Sequence, residues 1–184
     1  MSNPQDQNND LNDRLRRWIY VSHGLANIEK YAIISVQEIG RLDCICIEGD
    51  TRICSSLGNE TDISKNLLRD NDHFLFSKLW VLAAYELIRV ISKHYRKKSR
   101  IIDKTLYSKI ESVEKKFLRL RVPLAKFESA KHHEKTDFGF AHPMIAPKYG
   151  CGWIISKDLI ITRRELSDEL LIIFEEIRQV TEKK

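Results

Sequence analysis

A chain of 184 residues with 42% apolar and 31% charged residues can bury one sizeable core, which excludes a disordered or fibrous protein. Its formal net charge of +5 admits an acidic partner or a nucleic-acid backbone. No apolar run reaches the roughly 18 residues of a membrane span.

The chain opens on MSNPQDQNNDLND, which is polar and lacks the apolar centre of a signal peptide. Residues 1–13 are therefore expected as a disordered tail, and 14–184 as a single cytoplasmic globular domain. Leu15, Trp18, Ile19, Leu25 and Ile28 then suggest a helix that breaks near Gly24. Next, AIISVQ reads as a strand. RLDCICIEGDTRICSS alternates around Gly49-Asp50 and reads as a β-hairpin. Such a strand puts Cys44 and Cys46 on one face and Ile45 and Ile47 on the other. A two-residue loop sets Cys54 opposite Ile45, away from the first two cysteines, unless a one-residue bulge reverses this. With Cys151 there are four cysteines, and their spacing fits no ordinary zinc pattern. They are expected to be reduced, with no metal and no cofactor.

GNETDISKNLLRDND reads as a polar connection with a short helix over Ile63–Arg69, and Asp72 as the cap of a long helix from His73 to about Lys97. Phe74, Leu75, Leu79, Leu82, Leu87, Ile88 and Ile91 cover more than one stripe of that helix. This marks it as central, with neighbours on two sides. If it is central, Glu86 and Arg89 must be paired, and Arg119 or Arg121 are candidate partners for Glu86. A second helix carries Leu106, Ile110, Val113, Phe117, Leu120 and Leu124 on one narrow stripe. Pro123 should kink or end it near Arg121 or Val122. The short SRIID connection makes the two an antiparallel hairpin. After AKHHEKTDFGFAHP come two short strands, WIIS and LIIT, joined at Lys157-Asp158. A last helix runs from Arg163 with Leu166, Leu170, Phe174 and Ile177 at helical spacing. The expected class is α+β and mostly helical. A central antiparallel helical hairpin and a C-terminal helix are joined by short antiparallel strands or hairpins from both ends of the chain, with CGWIIS pairing onto CICIE.

Three places carry candidate chemistry. His132, His133, Asp137 and His142 cluster in the long connection. The adjacent histidines point apart in any regular structure and make poor joint ligands, so a binding loop or a structural loop is expected, with Asp137 capping a turn and Phe138 and Phe140 anchoring it. Between Lys93 and Lys131, thirteen Lys or Arg face four acids, a net +9, which leaves the remainder at −4. Arg96, Lys97, Lys98 and Arg100 are the candidates there for contact with nucleic-acid phosphates.

The third is Arg89 with His94, inside RVISKH on the long helix. It resembles the R-x(4-6)-H motif of the HEPN ribonucleases, small helical bundles that often dimerise. The resemblance covers six residues and implies an Arg and a His from two protomers meeting to cleave RNA. Arg16 and Arg17 have the same relation to His23, and Val90 stands where that family often has a polar residue. The chain offers no phosphate loop, dinucleotide fingerprint or nucleophile elbow. The expected function is a non-catalytic, self-associating interaction or regulatory module with a protein partner and no membrane. A HEPN-like or other nucleic-acid-acting protein is the alternative.

Overall fold

The computed structural model describes residues 4–26, 28–56, 63–97 and 104–182. Among these, the order is α1 (Pro4–Gly24), α2 (Ala32–Ser56), α3 (Ile63–Lys97), α4 (Lys104–Lys126), β1 (His142–Ala146), β2 (Gly150–Ser156), β3 (Leu159–Thr162) and α5 (Arg163–Glu182). The class is α+β and mostly helical. The three strands form one antiparallel sheet in the order β1-β2-β3, with Met144 opposite Gly152 and Trp153 opposite Ile161.

α5 starts where the sequence places a reciprocal cap. Thr162 Oγ1 accepts from the Glu165 backbone N–H at 3.2 Å, and the Glu165 carboxylate lies 2.6 Å from that hydroxyl and 3.4 Å from the Thr162 N–H. From this start, Leu166, Leu170, Phe174 and Ile177 all face inward. α1 packs on α2 and α5, α3 on α2 and α4, and α5 on α4, with β2 seated against α2 and α5. The core is closed by rings from different elements. Trp18 of α1 meets Phe174 of α5 edge-on at 6.1 Å, and Trp80 of α3 meets Phe117 of α4 at 5.9 Å. Contacts between α3 and α4 run in opposite order along the two helices: Arg96 with Tyr107, Ser92 with Glu114, Tyr85 with Arg121.

Four expectations need correction. The stretch AIISVQ…RICSS is not a strand and hairpin but the single helix α2, so Gly49-Asp50 is no turn. Its buried positions Ala32, Val36, Ile39, Asp43, Cys46, Asp50 and Ile53 recur every three or four residues, and two of them are aspartates. The local alternation of CICIE is a short coincidence within that longer period. Strands consequently come only from the C-terminal part: β2 pairs with β1 and β3, and α2 covers β2 as a helix. Residues 4–13, expected as a tail, are helical. Asp72 is no cap, because α3 runs through it from Ile63, and α4 carries Pro123 inside its last turn and continues to Lys126. Pro123 gives up its own bond to the Arg119 carbonyl, and only three residues of helix follow it; Val122, Pro123 and Leu124 are all buried there.

The whole α4 stripe is buried, with Phe117 at 0% and Val113 at 6% exposure. Phe117→Ala should therefore cost about 3–5 kcal/mol, and Val113→Ala clearly less. Denaturant unfolding of the two variants checks this. A Phe117→Ala midpoint equal to the parent's would contradict the packing.

Candidate functional site

The best-organised polar group is one the sequence reading missed. Arg163, in the first turn of α5, is completely buried. Its Nη1 donates to Asp43 Oδ1 at 2.6 Å and its Nη2 to Asp50 Oδ2 at 2.6 Å, so it bridges two carboxylates seven residues apart on one face of α2. The Trp80 ring lies 5.7 Å from its guanidinium carbon. Around this bridge the carboxylate oxygens take further donors, while Arg163 Nε itself is buried without a hydrogen-bond partner among the described residues. Arg14 Nε donates to Asp43 Oδ2 at 2.6 Å, the Trp18 indole N–H to the same oxygen at 2.9 Å, and the Ser167 hydroxyl to Asp43 Oδ1 at 2.6 Å. His73 Nε2 lies 2.7 Å from Asp50 Oδ1, which also accepts the Cys151 backbone N–H at 2.8 Å. Arg14 reaches on to Asp168 at 2.6 Å.

Two glycines make room for the network. A Cβ at Gly49 would overlap the His73 ring. Gly150 sits at φ +71°, in the left-handed region, where a side chain would run into Asp50. Burial alone pushes the Asp43 carboxyl up, but the charges of Arg163 and Arg14 outweigh it and hold Asp43 below its ordinary value. Asp50 is treated the same way: burial raises it, and His73, Arg163 and the Cys151 N–H together bring it lower than usual. Burial opposes the Arg163 charge, and the two carboxylates more than restore it. A cation at a helix N-terminus also opposes the helix dipole, which is a second reason why this arginine needs two anions.

Beside the network, α2 and the β1–β2 turn border a cleft of about 490 Å³ lined by Asp50, Thr51, Cys54, Tyr149, Arg164 and Asp168, among others. Arg164 is engaged with Asp168 at 3.2 Å, and burial pushes the Cys54 thiol up, away from the thiolate a nucleophile needs. Burial also pushes Cys44 and Cys46 up to about 11 and Cys151 to about 12. All four cysteines are free thiols: Cys44, Cys46 and Cys54 lie on α2 rather than on a hairpin, and Cys151 on β2. No group of three or more metal-ligating side chains occurs among the described residues.

The loop residues do not converge. Asp137 is held by a two-pronged pair with Arg119, both contacts at 2.7 Å, instead of capping a turn. The Arg119 bond lowers the Asp137 carboxyl below its usual range. His132 is exposed at φ 77°, and His133 is half-buried. His142 starts β1 and meets the Phe138 and Phe140 rings edge-on at 5.5 and 5.2 Å. Phe140 stacks on Phe127 at 5.8 Å, and both remain exposed.

On α3, Arg89 is engaged by Glu86 at 2.6 Å, but both side chains are about half exposed, so neither Arg119 nor Arg121 is needed for Glu86. Arg121 instead lies over the Tyr85 ring at 5.3 Å. His94 is half-buried and touches Tyr95 at 5.8 Å. Five residues along a helix turn it about 140° from Arg89. Of the phosphate-contact candidates, Arg96 and Lys97 are exposed at the end of α3, while Lys98 and Arg100 lie outside the described residues. The basic helix α4 meets acids of α5: Lys109 pairs with Glu176 at 2.7 Å and Lys116 with Glu169 at 2.5 Å.

Both network aspartates titrate below 3.8 in the folded chain. Their stabilisation is thus present above that pH and is lost as pH falls through the lowered values. The melting temperature should be level from neutrality to about pH 5 and fall steeply below about pH 4, with Asp43→Asn flattening that fall. An unchanged acid slope in the variant would contradict this assignment. No family model, curated protein or solved structure matches the chain.

Proposed function

We propose that the chain is a non-catalytic, self-associating interaction module that docks a protein through the outer face of α3. The observation that carries this is the second apolar stripe of that helix. Leu75, Phe76 and Leu79 are 51%, 42% and 46% exposed, in line with exposed Ala83. Single exposed apolar residues are ordinary, but a row of them on one helix face is characteristic of a docking surface. Beside it, Tyr31, then Ala32, Ile39 and Leu42 of α2, and Leu87 and Val90 of α3 line a groove. In this reading α3 and α4 form the central antiparallel hairpin, and the acids of α5 are the partner of the basic α4 face. The buried Arg163 network serves as a fixed frame. No helix among the described residues is long and apolar enough to cross a membrane.

The HEPN-like ribonuclease is the second reading, and the exposure of Arg89 is what favours it. Because the Arg89–Glu86 pair is exposed, Arg89→Ala should cost only about 0.3–0.5 kcal/mol. Arg89→Ala and His94→Ala should both stay folded, and neither they nor the parent should degrade RNA. The check pairs a thermal melt with an RNA-degradation assay on each protein. Cleavage by the parent that is lost in both folded variants would replace the interaction module with the ribonuclease.

A further inference from the structure

We infer that the occupant of the α3 outer face is the α3 of a second copy, crossing antiparallel with the two-fold axis beside Leu82 and Ala83. This rests on the interaction-module reading and names its partner. Along α3, at about 100° per residue, positions 72, 75, 76, 79, 83, 86, 90 and 93 fall on one arc of the helix. All of them are exposed except half-buried Val90, while Trp80, Ala84, Ile88 and Ile91 lie on the side packed by the rest of the chain and are buried. The helix therefore has two apolar faces, and its own chain buries one of them.

Charge and size select the partner and its direction. The stripe carries exposed Asp72 at one end and exposed Lys93 and Lys97 at the other, while Arg96 turns to Tyr107 and Glu114 of α4. Two copies in parallel would bring the basic ends together. Two copies in antiparallel bring each acidic end to the other's basic end. With the axis beside Leu82 and Ala83, Asp72 faces Lys93 of the second copy, Leu75 faces its Val90, and Leu79 faces its Glu86, whose charge is already paired with Arg89. Sliding the axis to Leu79 would instead set Asp72 against Glu86 of the second copy, a like-charge pair. Ala83, the smallest side chain of the stripe, then stands where the two helices come closest. In this arrangement the two Arg89 residues are separated by 13 residues of helix, about 20 Å, so the pair does not assemble an Arg and His from both protomers in one place.

Sedimentation velocity of the full chain from about 1 to 100 µM tests the inference. A dimer is expected, with Leu79→Glu and Ala83→Glu both monomeric and both keeping the parent's circular dichroism. Asp72→Lys should weaken the dimer about five- to tenfold at low salt, because two symmetry-related pairs become repulsive. Lys93→Glu added to Asp72→Lys should restore it. A parent monomeric at the highest concentration, or a dimer that survives both glutamate substitutions, overturns self-docking on this face. Failure of the charge swap to restore the dimer overturns the antiparallel register. A monomeric parent without RNA cleavage leaves a docking face for another protein. RNA cleavage lost in the Arg89→Ala and His94→Ala variants removes the module reading whether or not a dimer forms.

Discussion

A fully buried arginine between two buried aspartates is the constraint around which the structure is organised. Arg163 cannot sit in the core unless Asp43 and Asp50 meet it, because an unpaired charge in that setting is prohibitively costly. The aspartates reach it only if residues 43–50 are helical and α2 lies against the start of α5. Arg14 and Trp18 then tie α1 to Asp43, while His73 of α3 and the Cys151 N–H of β2 attach to Asp50. Four helices and the middle strand are thereby referred to one guanidinium. Such a network does not add much net stability over an apolar core of equal volume. It penalises every arrangement in which a member loses its partner, and so favours one packing over its competitors.

The same network explains why the fold was only half legible in the sequence. The final helix and the two strands before it announce themselves through the Lys157-Asp158 turn and the helical spacing of Leu166, Leu170, Phe174 and Ile177. The α4 stripe is equally plain. α2 is not, because two positions of its buried face are aspartates, which read as breaks in a hydrophobic period. With those positions discounted, what remains around residues 44–47 alternates like a strand. The signal that could have revealed the helix is the seven-residue spacing of Asp43 and Asp50, combined with an arginine directly behind a capping threonine. Each half is uninformative until the other is placed in space.

Candidate functional residues divide along similar lines. The apolar breadth of α3 is visible in the sequence and implies two covering neighbours. Two neighbours do cover it, α2 and α4, and even so Leu75 and Leu79 remain open. A sequence reports that a face is apolar but not which chain covers it. The histidine-rich loop looked like a site by composition alone. In space, Asp137 is committed to Arg119 and His142 to two phenylalanine rings, so proximity in sequence did not become convergence. Two lysines of the basic segment, Lys109 and Lys116, likewise meet counter-charges on α5.

The central claim is that Asp43 and Arg163 act as one buried unit that orders the rest. A double-mutant cycle on chain stability, Asp43→Ala against Arg163→Ala, measures it most directly. The account predicts strong non-additivity, a coupling of about 1–3 kcal/mol, because losing the second partner costs little once the first is gone. Effects that add to within about 0.5 kcal/mol would mean that the two residues contribute independently, and would contradict it.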